Sequence, residues 1–487
     1  MRDVSAARLA AVDLGASSGR VAVAEVGPDR LALTEVYRFP NAPARREGRL
    51  VWDFDQLWGH VVAGLRAATA TGPIDGVGLD TWGVDYGLLD ARGRLLGDPA
   101  CYRCDRTEDM PERVWGRLSA AGWGDEAAVR RRLYEVTGIQ QQRFNTIYQV
   151  AEDDAAGRLV TAAQLLLLPC LIAERLTGVA VAEVTHASTT GLFDATRRAW
   201  ADDVIAGLGL PRRLFGRVVE PGTVLGPVTP AVQVATGLGP ATQVVAGATH
   251  DTAAAVVATP LGPEAAFIAS GTWSLAGLEL PAPVLSEASQ AANFTNELGV
   301  DGTVRYLKNL TGLWLLSECQ RAWGDAGLSL TLAELLAGAE WCARDVALVD
   351  ADADEFLAPG DMPARLAHAV TRTGGKPPET PFETVRCVLD SLAAASARTI
   401  AGAEQLTGRT VERIQLVGGG SLNRGLCQAT ADATGRPVHA GPVEASLLGN
   451  ALIQARALGA LRGGLADLRD LVTRQYPSQV FLPHASA

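Results

Sequence analysis

At 487 residues, with 48% hydrophobic and 20% charged residues, the chain has material for two cores and reads as a soluble globular protein, not a disordered one. Its formal net charge of -11 argues against general affinity for nucleic-acid phosphates and favours a small-metabolite ligand. Seven cysteines, an odd number, do not form a disulfide framework, and the lone Cys-x-x-Cys at 101 to 104 lacks the second pair that a zinc site needs.

The opening "MRDVSAARLAAVDLG" has no sustained apolar run followed by a cleavage site, which predicts no export signal and a reducing, cytoplasmic setting. "AAVDLGASSGRVAVAEV" (10–26) then reads as a strand, a short turn ending at Gly19 and a second strand; "GPDR" turns into a third, "LALTEVYRF". Gly15, Ser17 and Gly19 fit the hydrolase elbow G-x-S-x-G. That elbow needs a helix after the serine, whereas period-two alternation follows here, so a serine hydrolase is not favoured.

"IDGVGLDTWGVDYGLLDARGRLLG" (74–97) predicts a buried strand, a tight Trp-Gly turn, a second strand and a hairpin at "DARGR". Residues 107–180 read as mainly helical. Their apolar stretch "LVTAAQLLLLPCLIAERL", interrupted by Gln164 and Pro169 and shorter than a bilayer span, is expected to be a buried helix; no membrane association is expected. The Pro- and Gly-rich stretch 221–246 marks a change of character, and a boundary between two domains is expected at 245/246.

"AAFIASGTWSLAGLEL" (265–280) repeats the opening hairpin plan, which suggests duplication of one fold. Helices from about 382 to 406, a strand "RIQLVGGGS", a helix "NRGLCQATADATG" and a final helix near 446 to 460 complete an α/β pattern.

Several of these turns carry chemistry. "GASSGR" and "SGTW" let backbone N–H groups curl around phosphate oxygens, with Ser17 and Ser18 as added donors and Arg20 as a cation; an ordinary hairpin turn is the alternative for each. Asp13 could anchor Mg²⁺, which prefers oxygen ligands, or merely end a strand. "LVGGGSLNRG" has Asn at 423 where a dinucleotide fingerprint needs glycine, so a nicotinamide cofactor is not favoured, although close approach to a flat nucleoside is reasonable. In "GATHDTAAAV", Asp251 is either a general base for a substrate hydroxyl or, with Thr252, a helix cap. There is no G-x-x-x-x-G-K-[ST] and no H-R-D-x-x-x-x-N, so phosphoryl transfer would need another scaffold.

In this order, "AVDLGASSGR", "DTWGVDYGLLD", "RFNTIYQ", "THDTAAAV", "SGTWSL", "NFTNE", "LKNLTGLWLL", "GGGSLN" and "AGPVEASLLGN" resemble the FGGY carbohydrate kinases of the actin-like ATPase superfamily, and the L-rhamnulokinases among them most closely. The resemblance spans nearly the whole chain. It implies an α/β fold of two similar ribonuclease H-like domains, 1–245 and 246–487, with an interdomain active-site cleft for ATP, Mg²⁺ and a small-molecule ketose. By the same resemblance, Ala16, Ser17, Ser18, Gly19 and Arg20 would bind ATP phosphates, Thr272 would serve the second phosphate loop, and Gly419 and Gly420 would lie against the adenosine. Gly83, His250, Asp251, Thr252 and Asn309 would contact the ketose, Asp251 would be the catalytic proton acceptor, and Asp13 would be the Mg²⁺-associated aspartate.

Two positions depart from the family pattern. "YRCDRT" has Cys104 where the L-rhamnulokinases usually carry Asp, and Ser317 stands where a glutamine assisting ATP is common. Rival readings are an FGGY kinase for fuculose or xylulose, and a non-catalytic actin-like ATP-binding module, against which Asp251 beside His250 speaks. The sequence does not specify an oligomeric state.

Overall fold

The computed structural model describes residues 6–342 and 346–484, and the chain divides into two compact units. The first comprises 1–258, 280–306 and 446–475; the second comprises 259–279, 307–445 and 476–487. The sequence boundary at 245/246 falls inside the first unit, because the chain leaving the strand that ends at Ala246 runs straight into a helix, Asp251–Val257, that belongs to that unit.

In the first unit, β1 (Ala7–Leu14), β2 (Ser18–Gly27) and β3 (Arg30–Pro40) form the expected antiparallel meander. On the other side of β1 run two parallel strands, β4 (Gly76–Thr81) and then β5 (Gln243–Ala246), with Thr223–Pro227 at the edge. β4 is buried at every position, as a parallel strand covered on both faces should be. Its glycines have a packing reason: a Cβ on Gly78 would run into Asn450 Oδ1, and one on Gly76 would lie 2.7 Å from the Leu458 side chain. The helix Ala445–Ala457 therefore lies close on this sheet, with Leu447 packed against Ala11 and Ala22. The helix Phe54–Ala70, capped by Asp53 accepting from Gln56 N–H at 3.0 Å, buries Leu57, Val61 and Leu65.

A second core of the same unit gathers Tyr86, Val114, Tyr148, Phe193, Trp200 and Phe215. Here the expected buried helix over 159–176 is corrected. Gln164–Leu167 is a strand paired antiparallel with Tyr86–Leu89, and the helix is confined to Leu168–Thr177. The reason is Pro169: it suits the first turn of a helix, while the backbone just before it is held extended, Leu167 having ψ 147°. The turn at Asp90–Arg94 exists, but its return is a single bridge from Leu89 to Leu95, because Tyr86–Leu89 takes its pairing from 164–167.

The second unit repeats the plan. β6 (Ala265–Ser270) pairs antiparallel with β7 (Trp273–Leu280), which neighbours β8 (Val304–Thr311); on its other side β6 runs parallel to β9 (Arg413–Val417), and β9 runs parallel to β10 (Val438–Ala440). Both sheets thus have a central strand flanked by a hairpin on one side and two parallel strands on the other. The helix Pro381–Thr407 begins with a Thr380/Glu383 capping box and stops at Gly408, φ 68°, where glycine carries no Cβ penalty. It covers a core that includes Leu315, Phe356, Leu366, Val388 and Leu426. Among the described residues no helix is long and apolar enough to cross a membrane.

Candidate active site

In the first unit the carboxyl ends of parallel strands collect several of the candidate side chains, which is where open α/β sheets bind ligands. Asp13 and Asp80 are register partners on β1 and β4. Just beyond them, Thr81 N–H donates to Thr249 O at 2.9 Å and Trp82 N–H donates to Leu14 O at 3.1 Å. Gly83, His250 and Asp251 are thereby brought to the same edge.

Asp13 is 4% exposed and accepts a 2.8 Å hydrogen bond from Arg20, so this arginine orients the carboxylate. The turn between β1 and β2 is tied down through its carbonyls: Gly15 O accepts from the Asn41 side chain at 2.9 Å, and Ser17 O accepts from Asn41 N–H at 3.0 Å. Gly19 has no room for a side chain, since its Cβ would occupy the Phe39 ring. Ser17 is exposed and a strand follows it, so the turn lacks the geometry of a nucleophile elbow.

Asp80 is fully buried. Asn450 donates to its Oδ2 at 2.6 Å, and Oδ1 has no partner among the described residues. Burial first, then the charges of Asp13 and Asp251, push its carboxyl well above the ordinary range. A buried carboxyl oxygen with no partner among the described residues, beside the Asp13 carboxyl, is an all-oxygen donor set that suits a hard divalent cation such as Mg²⁺, whose charge would favour the ionised form.

The His250–Asp251 turn is held by a buried acid that sequence reasoning missed. Glu183 accepts four hydrogen bonds, from Thr185 N–H at 2.9 Å, Thr185 Oγ1 at 2.6 Å, Thr249 N–H at 3.1 Å and Thr249 Oγ1 at 2.7 Å. Burial raises its pKa and these bonds oppose the rise. Asp251 opens its helix with Oδ1 accepting from Thr252 N–H at 2.5 Å and Thr252 Oγ1 at 3.0 Å, while Oδ2 accepts no hydrogen bond among the described residues. The contact to Thr252 therefore engages only one oxygen of the Asp251 carboxylate. His250 Nε2 stands 3.5 Å from Asp251 Oδ1, and a Cβ on Gly83 would lie 3.2 Å from that same nitrogen. The neighbouring His186 ring, 5.6 Å from that of His250, is wholly buried, and desolvation pushes its pKa well down, so it adds no charge near neutral pH.

Next to Gly83, Val84 adopts φ 70°, a conformation that a β-branched residue enters at a cost of about 1–3 kcal/mol. Its carbonyl is held by Thr146 Oγ1 at 2.8 Å. Asp85 follows, fully buried and accepting from the indole N–H groups of Trp52 at 2.6 Å and Trp82 at 2.9 Å, from Gln149 at 3.1 Å and from Tyr102 N–H at 3.3 Å. "DTWGVDYG" contains Asp80 and Asp85 in plain view, but an acid inside an apolar run carries no label of what it meets. Cys104 is buried with its thiol 3.6 Å from Asp105 Oδ1.

In the second unit, two motifs that lie about 150 residues apart in sequence come into contact. Gly418, at φ 83°, faces Ser270 O, to which a Cβ would approach 2.8 Å, and a Cβ on Gly420 would overlap Ser270 Oγ. The Ser270–Thr272 turn is further held by Leu313 N–H donating to Gly271 O at 3.0 Å and Trp314 N–H donating to Thr272 O at 3.1 Å. Gly419 is exposed, and Asn423 caps the helix Arg424–Thr434 through Leu426 N–H at 3.0 Å. Asn309 sits half-buried on β8, in the part of that strand counted with this unit. Ser317 is exposed and donates to Leu313 O at 3.1 Å. Of the expected site residues, Asp13, Ala16 to Arg20, Gly83, His250, Asp251 and Thr252 belong to the first unit, and Thr272, Asn309, Gly419 and Gly420 to the second.

Comparison with known proteins accounts for both halves. Residues 9–258 match the N-terminal domain and residues 266–458 the C-terminal domain of the FGGY family of carbohydrate kinases. A protein of Bacteroides thetaiotaomicron named rhamnulokinase is 39% identical over 483 residues, covering 98% of this chain and 96% of that one. A rhamnulokinase of Enterococcus faecalis is 38% identical, covering 97% and 93%. Among solved structures, a gluconate kinase from Lactobacillus acidophilus shares the fold with a TM-score of 0.79 over 99% of this chain and 94% of that one, at 14% identity. Duplicated sheets, glycine-lined turns at the ends of their strands and full-length similarity together make the chain a member of the FGGY family of carbohydrate kinases.

Proposed function

We propose that the protein is an L-rhamnulokinase, transferring the γ-phosphoryl group of MgATP to the 1-hydroxyl of L-rhamnulose to give L-rhamnulose 1-phosphate and ADP in L-rhamnose degradation. The observation that carries this reading is the 36–39% identity to relatives named rhamnulokinase, with 92–98% of the chain covered in each match.

In the reaction, the ketose 1-hydroxyl oxygen attacks the γ-phosphorus, the bond from that phosphorus to the bridging oxygen breaks, and ADP leaves. Asp251 receives the hydroxyl proton on Oδ2, the oxygen that accepts no hydrogen bond among the described residues. Gly83, His250, Thr252 and Asn309 orient the ketose. Donors of the Ala16–Arg20 turn and Thr272 hold phosphate oxygens, and Gly419 and Gly420 let the adenosine lie close to the backbone. Asp13, oriented by Arg20 and backed by Asp80, would hold Mg²⁺, which draws charge from the phosphate oxygens when bound. Positioning and fixed charge supply most of the catalysis in phosphoryl transfer. Seven unpaired cysteines are in keeping with a reducing cytoplasm.

A panel of ketoses assayed for ADP release tests the substrate. L-rhamnulose should give the highest kcat/KM; preference for fuculose or xylulose would reassign the sugar, and ADP release that ignores every ketose would replace the kinase reading with that of a nucleotide-binding module.

A further inference from the structure

Glu297 and Arg305 have no part in the reaction as written, yet both meet His250. They stand on neighbouring strands, Thr295–Leu298 and β8, joined by a turn in which Gly299 N–H donates to Thr303 O at 2.7 Å. Arg305 is 0% exposed. Its Nη1 lies 2.8 Å from Glu297 Oε2 and 3.1 Å from His250 Nδ1, and its Nη2 donates to Thr185 O and Leu298 O, both at 3.3 Å.

A guanidinium nitrogen has only donors to offer. An N–H on His250 Nδ1 would set donor against donor at 3.1 Å, whereas a lone pair there accepts the Arg305 proton. Glu297 Oε2, 3.4 Å from the same Nδ1, is nearer to Arg305 and is neutralised by it. With Nδ1 accepting, the ring proton resides on Nε2. That nitrogen faces Asp251 and the space that glycine leaves open at position 83.

We infer that Arg305, anchored by Glu297, is a positioning residue that holds His250 as its Nε2–H tautomer, so that the ring donates to a ketose oxygen while Asp251 accepts. The inference takes the ketose site proposed above as given. Its consequence is a division of labour: Nε2 cannot take the substrate proton, and the carboxylate must.

Nitrogen-15 NMR of the full-length protein reads the tautomer directly, with His250 assigned through H250Q. Wild type should show Nε2 protonated and Nδ1 bare, with or without ketose. Arg305→Met should mix the tautomers and raise the ketose KM by about 10- to 100-fold, the effect of losing a hydrogen bond held in place by a charged group. The KM for ATP should stay put, and kcat should change less than KM. Arg305→Lys, which also only donates, should restore most of both signals. A wild-type ring protonated on Nδ1 overturns the inference, as does an Arg305→Met variant with altered tautomer and unchanged ketose KM. If Arg305→Met does not fold, the wild-type spectrum and the lysine variant still decide. An Nε2–H ring in a protein that phosphorylates no ketose would leave the tautomer assignment standing and remove the proposed function instead.

Discussion

Asn450 donates a 2.6 Å hydrogen bond to Asp80 across 370 residues of sequence, and both side chains are almost wholly buried. Gln454 Nε2 donates to Asn450 Oδ1 at 2.7 Å and to Ala10 O at 3.2 Å, which fixes the amide with its donor toward the carboxyl. The helix that carries Asn450 is thus keyed to the floor of the site in the first unit. Asn450→Ala leaves Asp80 with no donor among the described residues, and should lower stability by about 1–3 kcal/mol. Urea unfolding checks this; an unchanged midpoint contradicts it. Asn450→Asp, which adds a further carboxyl in place of the donor, should be worse than alanine.

Asp251→Asn keeps the helix start, because the amide oxygen can still accept from Thr252. It removes the proton acceptor that the proposed reaction requires. Turnover should fall by about 10²- to 10⁴-fold, the usual worth of general-base assistance, with little change in melting temperature. Steady-state kinetics beside a thermal melt separate the two effects. Full turnover in the variant would exclude Asp251 from the role.

Burial pushes Asp85 up from 3.8 to about 6, against the hydrogen bonds from Trp82, Trp52, Gln149 and Tyr102. Between about pH 4 and about pH 6 the native state therefore keeps a proton that the unfolded chain has released, and stability falls as pH rises through that window. A shift of this size corresponds to up to about 3 kcal/mol. Asp85→Asn has no such group. Relative to that variant, wild type should lose stability between about pH 4 and about pH 6, as read from denaturant midpoints, while Asp80 and Glu183 cancel in the comparison. Parallel pH curves would count against it.

Gly420→Ala would drive a methyl group into Ser270 Oγ. Overpacking of this kind costs about 1–3 kcal/mol, and the displaced Ser270–Thr272 turn should raise the KM for ATP while leaving the KM for ketose alone. The double variant Gly420→Ala with Ser270→Ala, which makes room for the methyl, should recover part of both losses. If it recovers none, the contact between the two motifs is not what the glycine protects.

Local pattern was enough for much of the fold. Alternation after Gly19 required a strand there, and that alternation alone ruled against Ser17 as a hydrolase nucleophile. Thr380, Pro381, Glu383 and Gly408 bracket a helix in capping chemistry alone. The motifs at 10–20, 249–256 and 418–423 pointed to the family, and full-length relatives bear out that membership. The strand at 164–167 escaped because an apolar run that is buried on all sides has no period to read.

What the sequence by itself determined, then, is where turns, caps and alternating strands fall, since those depend on residues a few positions apart. Tertiary structure alone decided that 280–306 and 446–475 rejoin the first unit, that the charges of Asp13 and Asp251 bear on Asp80, and that Arg305 meets His250 from 55 residues away. Those facts are set by what lies opposite each side chain. Whether an acid stays ionised, or which ring nitrogen keeps a proton, follows from desolvation and from the donor it faces, and neither is written in spacing along the chain.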